Sequence, residues 1–306
     1  MRRACDAQAA PAAAVGGDKE TVMKRIALIS DIHGNYKALE AFLQYIAGHP
    51  VDGIVCLGDY VTDSPYPERT MTLLYEMRRR YECWMLRGNR EDYLLNNRDN
   101  TEGWKPSSAN GTLFYTLQHM TETDLAFFAS LPTEGELCLE GCPALYLCHG
   151  TPGRVRGNVH EEPGLKEKVM EDLPYSYLLG GHSHHQEIDR MYGKTYINPG
   201  SLGFAVDGVG RRAQFAILTG MSEKWEAEFL SVPYDVEAYL QDFTESGVDE
   251  MGMTLNKAIK KSLVTGVNYF FKCIVAMERR AKEMGLASMP EVPEPEWERM
   301  TERFGL

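Results

Sequence analysis

The stretch Arg25-Ile-Ala-Leu-Ile-Ser-Asp-Ile-His-Gly-Asn35 passes from an apolar run to side chains of coordinating type within a few residues. The run flanked by charge predicts a buried strand. It ends in Asp31-Ile-His33-Gly34-Asn35, and a helix is expected to follow. There Leu39, Phe42, Leu43 and Ile46 fall at i, i+3, i+4 and i+7, one apolar face of a helical surface.

The same unit recurs twice. Gly53 to Leu57 predicts a strand, Gly58-Asp59 a turn, and Glu68 to Arg80 a helix; Glu82 to Leu86 predicts a third strand, ending in Gly88-Asn89. Strand, polar loop and helix in succession point to a mainly parallel sheet with its site at the strand ends. From Asp92 the pattern changes. A polar loop, 96–110, precedes two short helices near Thr112 to Met120 and Glu122 to Ser130, the second stopped by Pro132. Residues 92–131 thus read as a helical, lid-like insert. Later apolar runs (136–139, 144–148, 177–179, 195–197, 213–219 and 225–230) are expected to build a second sheet packed on the first. From residue 236 the chain predicts helices over 236–245, 254–265 and 267–284, then a Pro-rich break and a short final helix. The expected organisation is a leader without fixed structure (1–22), a main domain (23–235) and a helical C-terminal extension (236–306).

The net charge of -12, with 44 acidic against 32 basic residues, argues against stable nucleic-acid binding, which needs a basic stripe to displace counterions. It leaves a nucleotide substrate open, because bound metals reverse the local field of a cleft. No stretch approaches the roughly 18 apolar residues of a membrane helix. The N-terminal residues lack the Leu, Ile and Phe of a signal peptide. The seven cysteines show no Cys-x-x-Cys and no paired spacing, so buried, reduced thiols and a cytoplasmic location are expected. The segment 264–277 is rich in Val, Tyr, Phe and Ile, so something must cover it, and self-association through the C-terminal helices is one way to do so.

Five segments place metal-coordinating residue types just after apolar runs: Asp31-x-His33, Gly58-Asp59, Gly88-Asn89, His149-Gly150 and Gly181-His182-x-His184. Taken singly, each is more common as a turn than as a ligand. Together they hold four of the eight histidines, all at strand ends. Mixed imidazole and carboxylate donors suit divalent first-row metals, and two metals need more ligands than one segment supplies. Asp59, with two oxygens, can bridge a pair. Gly58, Gly88 and Gly181 are expected to let the chain turn sharply before each ligand.

In this order the segments resemble the calcineurin-like metallophosphoesterase superfamily, over about 24–235. Leu57-Gly-Asp-Tyr-Val61 with Pro65 and Pro67, Leu131-Pro132 and Asn198-Pro-Gly-Ser201 resemble its small bacterial phosphodiesterase branch. The resemblance implies an α/β fold of two sheets sandwiched between helices, and two divalent ions (Mn, Fe, Zn, Co or Ni). Asp31, His33 and His184 would hold one ion, Asn89, His149 and His182 the other, with Asp59 bridging. It implies hydrolysis of a small phosphoester or phosphoanhydride, such as a nucleotide, by a hydroxide between the metals attacking phosphorus in line.

One departure concerns the proton donor. Many members carry a histidine after the Gly-Asn segment; here Arg90 stands there, and a guanidinium does not give up its proton at neutral pH. Arg90 either clamps a phosphate through two parallel hydrogen bonds or pairs with Glu91 or another acid. His160 and His185 are alternative proton donors, set against surface or packing roles. Asn35 is either a phosphate contact or part of its own turn. Arg154 and Arg156, shortly after His149, either reach a substrate or are solvated loop arginines, the default reading. Two further functions fit parts of the chain. Leu86-Arg-Gly-Asn-Arg-Glu91 is partly similar to protein serine/threonine phosphatases, although their histidine and arginine-bearing turn are absent. A metal-binding scaffold acting through protein contacts is the other, with all seven ligand positions filled counting against it.

Overall fold

The protein is described here from a computed structural model covering residues 23–160 and 162–306. The expected leader, 1–22, lies outside the described residues. The predicted repeat is present: β1 (Lys24–Ile29), α1 (Tyr36–Gly48), β2 (Gly53–Cys56), α2 (Pro67–Arg80), β3 (Cys83–Met85) and α3 (Asn89–Asn97). β1 pairs parallel with β2, and β2 parallel with β3. α4 (Gly111–His119) and α5 (Glu122–Ser130) form the insert. β4 (Glu134–Leu137), β5 (Leu145–Cys148), α6 (Leu165–Asp172), β6 (Tyr177–Leu179), β7 (Gln186–Met191) and β8 (Lys194–Pro199) follow, then the hairpin β9 (Arg212–Met221) and β10 (Lys224–Pro233).

The two sheets run in the orders β10-β9-β1-β2-β3 and β4-β5-β6-β8-β7. This corrects the expectation for the last hairpin, which joins the first sheet. β9 pairs antiparallel with β1, Leu28 opposite Ala216, so that sheet is mixed rather than mainly parallel. The apolar pattern of β9 fits a strand buried on both faces but does not say beside which edge it docks. β7, Gln-Glu-Ile-Asp-Arg-Met, was not expected to be a strand. It is an edge strand whose Ile188 packs inward among polar neighbours, too little alternation to register.

The alternation of β1 explains its apolar run. Ile26 and Leu28 face the second sheet, packing with Leu145, Leu147, Leu179 and Ile197. Ala27 and Ile29 face the other way, with Leu39 and Phe42 of α1 and Leu74 and Met77 of α2. Burying each such Leu or Ile contributes about 1.5–3 kcal/mol, so both faces of the strand are held. Rigid strands then carry the loops at their C-terminal ends.

The C-terminal extension is α7 (Val236–Glu245), α8 (Val248–Thr265), α9 (Tyr269–Met284), a 3-10 turn (Met289–Glu291) and α10 (Glu294–Arg303). It docks on the main domain through Tyr239 and Phe243, which pack with Tyr36, Phe204 and Val206. Tyr36 donates to Asp242 at 2.6 Å, and Tyr239 to Ser64 at 2.6 Å. The apolar stretch 264–277 is partly covered within the chain: Cys273 and Met277 pack with Leu255 and Trp297, which is fully buried. Among the described residues, Cys56, Cys83, Cys142, Cys148 and Cys273 are free thiols, whereas Cys138 is disulfide-bonded, against the expectation that all are reduced. No described helix is long and apolar enough to cross a membrane.

Candidate metal centre

All seven predicted ligands come together. Asp31 and His33 follow β1, Asp59 follows β2, Asn89 opens α3, His149 follows β5, and His182 and His184 follow β6. Asp31, His33 and His184 form one group, Asp59, His149 and His182 another; within each group the donor atoms lie within 4.8 Å of one another. In the first, His184 Nε2 is 3.2 Å from Asp31 Oδ1 and 3.2 Å from His33 Nε2. In the second, His149 Nε2 is 3.2 Å from Asn89 Oδ1 and 3.4 Å from Asp59 Oδ2. Donors about 2.0–2.2 Å from a common ion at tetrahedral or octahedral angles stand about 3–3.5 Å apart. Asp59 Oδ2 also lies 3.7 Å from His33 Nε2, between the two groups.

Imidazole tautomers supply the test of whether ions fit. His149 Nδ1 donates to the Leu57 carbonyl at 3.0 Å, and His184 Nδ1 to the Phe204 carbonyl at 2.8 Å. In the neutral ring each Nε2 therefore presents a lone pair to the centre. There it meets further lone pairs, of Asn89 Oδ1 and Asp59 Oδ2 or of Asp31 Oδ1. Asp31 Oδ1 is buried without any hydrogen-bond partner. Acceptors converging this closely need protons or cations between them. Divalent ions fit both donor sets.

The electrostatics agree. Burial pulls His33 and His149 down, yet Asp31 and Asp63 beside His33, and Asp59 beside His149, hold each at about 9. Burial pushes Asp59 up, but His149 and His33 bring it down to about 2. Burial likewise raises Asp31, and His184, His33 and His149 together more than offset it. His182 is pushed down to about 3 by burial and by the neighbouring His149. In the cation-free protein, protons on His33 and His149 thus neutralise the carboxylates, and a metal bound there would displace them.

The backbone carries strain at these positions. Asp31, His33, Asp59, His182 and His184 all have φ between 47° and 63°. Left-handed backbone at side chains bearing a Cβ costs of order 1 kcal/mol or more each and clusters at functional sites. The glycines act differently from expectation. Gly58 does take positive φ (114°), but a Cβ on Gly88 would stand 2.2 Å from Asp59 Oδ1, and one on Gly181 2.1 Å from Ser30 Oγ. At 88 and 181 the requirement is close approach, and the ligands themselves make the turn.

Sequence reasoning missed two acids. Asp63, buried, sits 3.6 Å from His33 Nδ1 and 3.2 Å from Arg90 Nη1, and accepts from Thr112 Oγ1 at 2.8 Å. It orients the ring of a ligand, and burial fails to raise it because Arg90 and His33 hold it low. Glu91, fully buried, accepts the N–H groups of Gly88, Asp59 and Tyr60 at 2.8–2.9 Å. Burial and the nearby Asp59 push it up to about 7 against those donors. It ties the loops after β2 and β3 together. No local motif marks either residue; Asp63 lies four positions beyond Asp59 in a loop with no periodicity.

Other candidates separate. Arg90 pairs with Asp63, not Glu91, and still lines the cavity beside the ligands. Arg156 lines it too, its guanidinium 5.5 Å from the Tyr93 ring, while Arg154 is spent on Glu162. Asn35 is a correction to its reading as a phosphate contact: it caps α1, accepting from Ala38 N–H at 3.0 Å and donating to the Gly203 carbonyl at 2.9 Å. His160 is bound to Glu187 at 2.7 Å with the His185 ring against it, and neither lines the cavity. Asn198 and Ser201 brace the ligand loops, Asn198 donating to the Gly181 carbonyl at 2.9 Å and Ser201 to that of Asp31 at 2.7 Å.

The ligands open into a cavity of about 590 Å³. Its walls come from the ligand loops, from the insert (Trp104, Leu113) and from the C-terminal extension (Phe270, Ile274).

A family model described as the calcineurin-like phosphoesterase superfamily domain matches residues 23–222. An uncharacterized protein of Methanocaldococcus jannaschii is 26% identical over 250 residues, covering 75% of this chain and 96% of its own. Among solved structures, a metallophosphoesterase from Sphaerobacter thermophilus aligns with TM-score 0.60 and 22% identity, covering 79% of this chain and 100% of its own. A hypothetical protein from Pyrococcus horikoshii aligns with TM-score 0.67 and 20% identity, over 79% and 98%. These two structures speak to the fold alone. With its ligand loops gathered as described and the family model spanning them, the chain belongs to the calcineurin-like phosphoesterase superfamily.

Proposed function

We propose that the protein is a dinuclear-metal hydrolase of small phosphoesters or phosphoanhydrides. The observation that carries the reading is the pair of converging lone-pair sets, each fixed by an imidazole whose other nitrogen is tied to a backbone carbonyl. Two divalent ions bound there would polarise a phosphoryl oxygen and make bound water acidic enough to serve as nucleophile. Asp31, His33 and His184 would hold one ion; Asn89, His149 and His182 the other; Asp59 would touch both.

The chain's own residues do the rest. Arg90 faces the cavity with its guanidinium held by Asp63 and by the Phe270 ring at 5.4 Å, set to neutralise charge on a phosphate. Its Nε is buried without a hydrogen-bond partner. Among the described residues no imidazole outside the candidate ligand set lines the cavity, so leaving groups that depart without a proton are favoured, such as aryl oxides and phosphates. A cavity walled on several sides supports a small molecule over a phosphoprotein loop, which ranks the protein phosphatase reading second.

The test is a metal-reconstituted screen against aryl phosphates, cyclic nucleotides, dinucleoside polyphosphates and phosphopeptides, with Asp59→Asn as control. Metal-dependent turnover of a small ester, lost in the control, is expected. Turnover unchanged in Asp59→Asn would overturn the mechanism, and preference for phosphopeptides would restore the runner-up. Replacing Arg90 by His should flatten the dependence on leaving-group acidity.

A further inference from the structure

The family match ends at residue 222, yet one wall of the cavity is built from residues beyond it. Phe270, Phe271 and Ile274 all line the cavity from α9, which begins at Tyr269 behind the cap Asn268. Opposing contributions come from Tyr93 on α3 and Trp104 in the insert. Ring contacts tie this wall to the metal ligands. Phe270 stands 6.1 Å from Phe204, and Phe204 stands 6.0 Å from His33 and 5.8 Å from His184. The Arg90 guanidinium lies between the Phe270 ring, at 5.4 Å, and the Tyr93 ring, at 5.8 Å. Arg156 adds a second guanidinium by Tyr93, at 5.5 Å.

A cavity of about 590 Å³ is of the size that holds a whole small molecule, well beyond a phosphate alone. Flat ring faces and guanidinium planes attract flat partners: stacking and cation–π contacts favour planar groups over chains of equal area. Asn268 spends its Oδ1 on the N–H of Phe271, which fixes the start of α9 and therefore the position of both phenylalanines.

We propose that the C-terminal extension forms a subsite, lined by Phe270, Phe271, Ile274, Tyr93 and Trp104, that binds a planar aromatic group of the phosphorylated substrate. The inference rests on the phosphoester reading for what lies at the metal end. Aryl and nucleoside esters are then the substrate class, and simple alkyl phosphates are poor ligands. The specificity comes from the extension together with Tyr93 and Trp104, whereas the reaction chemistry comes from the ligand loops of the family core.

The test measures binding with two probes that are not hydrolysed. Phenylphosphonate and methylphosphonate are titrated calorimetrically into the full chain loaded with Mn2+, and p-nitrophenyl phosphate turnover is followed on the same samples. The phenyl probe is expected to bind about 5- to 100-fold more tightly than the methyl probe, the range that base–aromatic stacking supplies. That ratio should fall toward one in Phe270→Ala and in Trp104→Ala, which sit on different elements, so that misfolding of one variant leaves the other to report. Val275→Ser, on the same helix but 37% exposed and outside the cavity, should keep the ratio. Equal affinity of the wild-type protein for the two probes, or a preference that survives both cavity variants, overturns the subsite. Metal-dependent turnover persisting with no preference overturns the subsite alone. A phenyl preference that the cavity variants erase, with no metal-dependent turnover of p-nitrophenyl phosphate, supports the subsite and overturns the reading of the protein as an aryl phosphate hydrolase instead.

Discussion

The ligand cradle and the C-terminal wall enclose the same cavity by different physical means. The cradle is chemically restrictive. A divalent ion accepts few donor types at narrow distances, so His, Asp and Asn must stand at strand ends, several with strained backbone. The wall is chemically permissive. Phe270 and Ile274 satisfy the rules of any amphipathic helix, and nothing local distinguishes a cavity-facing phenylalanine from a core one. One side of the cavity is therefore built from candidate coordinating side chains and the other from helix packing, and perturbations should separate them.

The largest effect is expected at the cradle. Asp59→Asn should cut activity by more than about 100-fold, beyond what residues behind a ligand cause, and lower the bound metal as measured by elemental analysis. Full metal content with full activity would show that Asp59 does not bridge. Asp63→Asn acts one step out. It leaves His33 unoriented and Arg90 without its partner, so a loss of roughly 10- to 100-fold in metal affinity or kcat is expected. A change in thermal stability alone, with metal affinity intact, would make Asp63 purely structural.

Removing the metals should be felt across both regions. Ions at about 100 times their Kd stabilise the fold by about 2.7 kcal/mol per site, so chelation should lower the Tm by roughly 5 °C or more. The shift should shrink in Asp59→Asn. Thr112→Val cuts the hydrogen bond from the insert to Asp63, a bond to a charged group worth about 1.5–3 kcal/mol, and denaturant unfolding should report a loss of that order. The smallest effect belongs to the extension behind the wall. Met253 interrupts α8 with φ 47° and ψ -128°, and its side chain is exposed. Met253→Gly should raise stability by up to about 1 kcal/mol while leaving metal binding alone; a destabilised variant would mean that the side chain's packing outweighs the strain.

How far the residues could be read in advance follows the same division. The three strand–loop–helix units and the convergence of all seven candidate ligands were readable, because period-2 burial and metal-donor chemistry each leave a local trace. The placement of β9 and β10 was not, since a doubly buried strand looks alike beside either sheet. β7 was missed because Ile188 is its one inward apolar residue among polar ones. Asp63 and Glu91 were invisible for a third reason. Their roles come from loops that meet only after folding, Glu91 reaching back to the N–H groups of Asp59 and Tyr60. Asn35 misled in the opposite direction: a polar residue beside a ligand looks like a substrate contact until both ends of its amide are found engaged.

The most direct test of the central claim is metal stoichiometry in the reconstituted full-length protein, wild type beside His184→Ala and His149→Ala. Two divalent ions per wild-type chain are predicted, with each variant losing the ion on its own side and both losing turnover of aryl phosphates. One ion or none in the wild-type chain, or turnover that survives metal removal, would contradict the account.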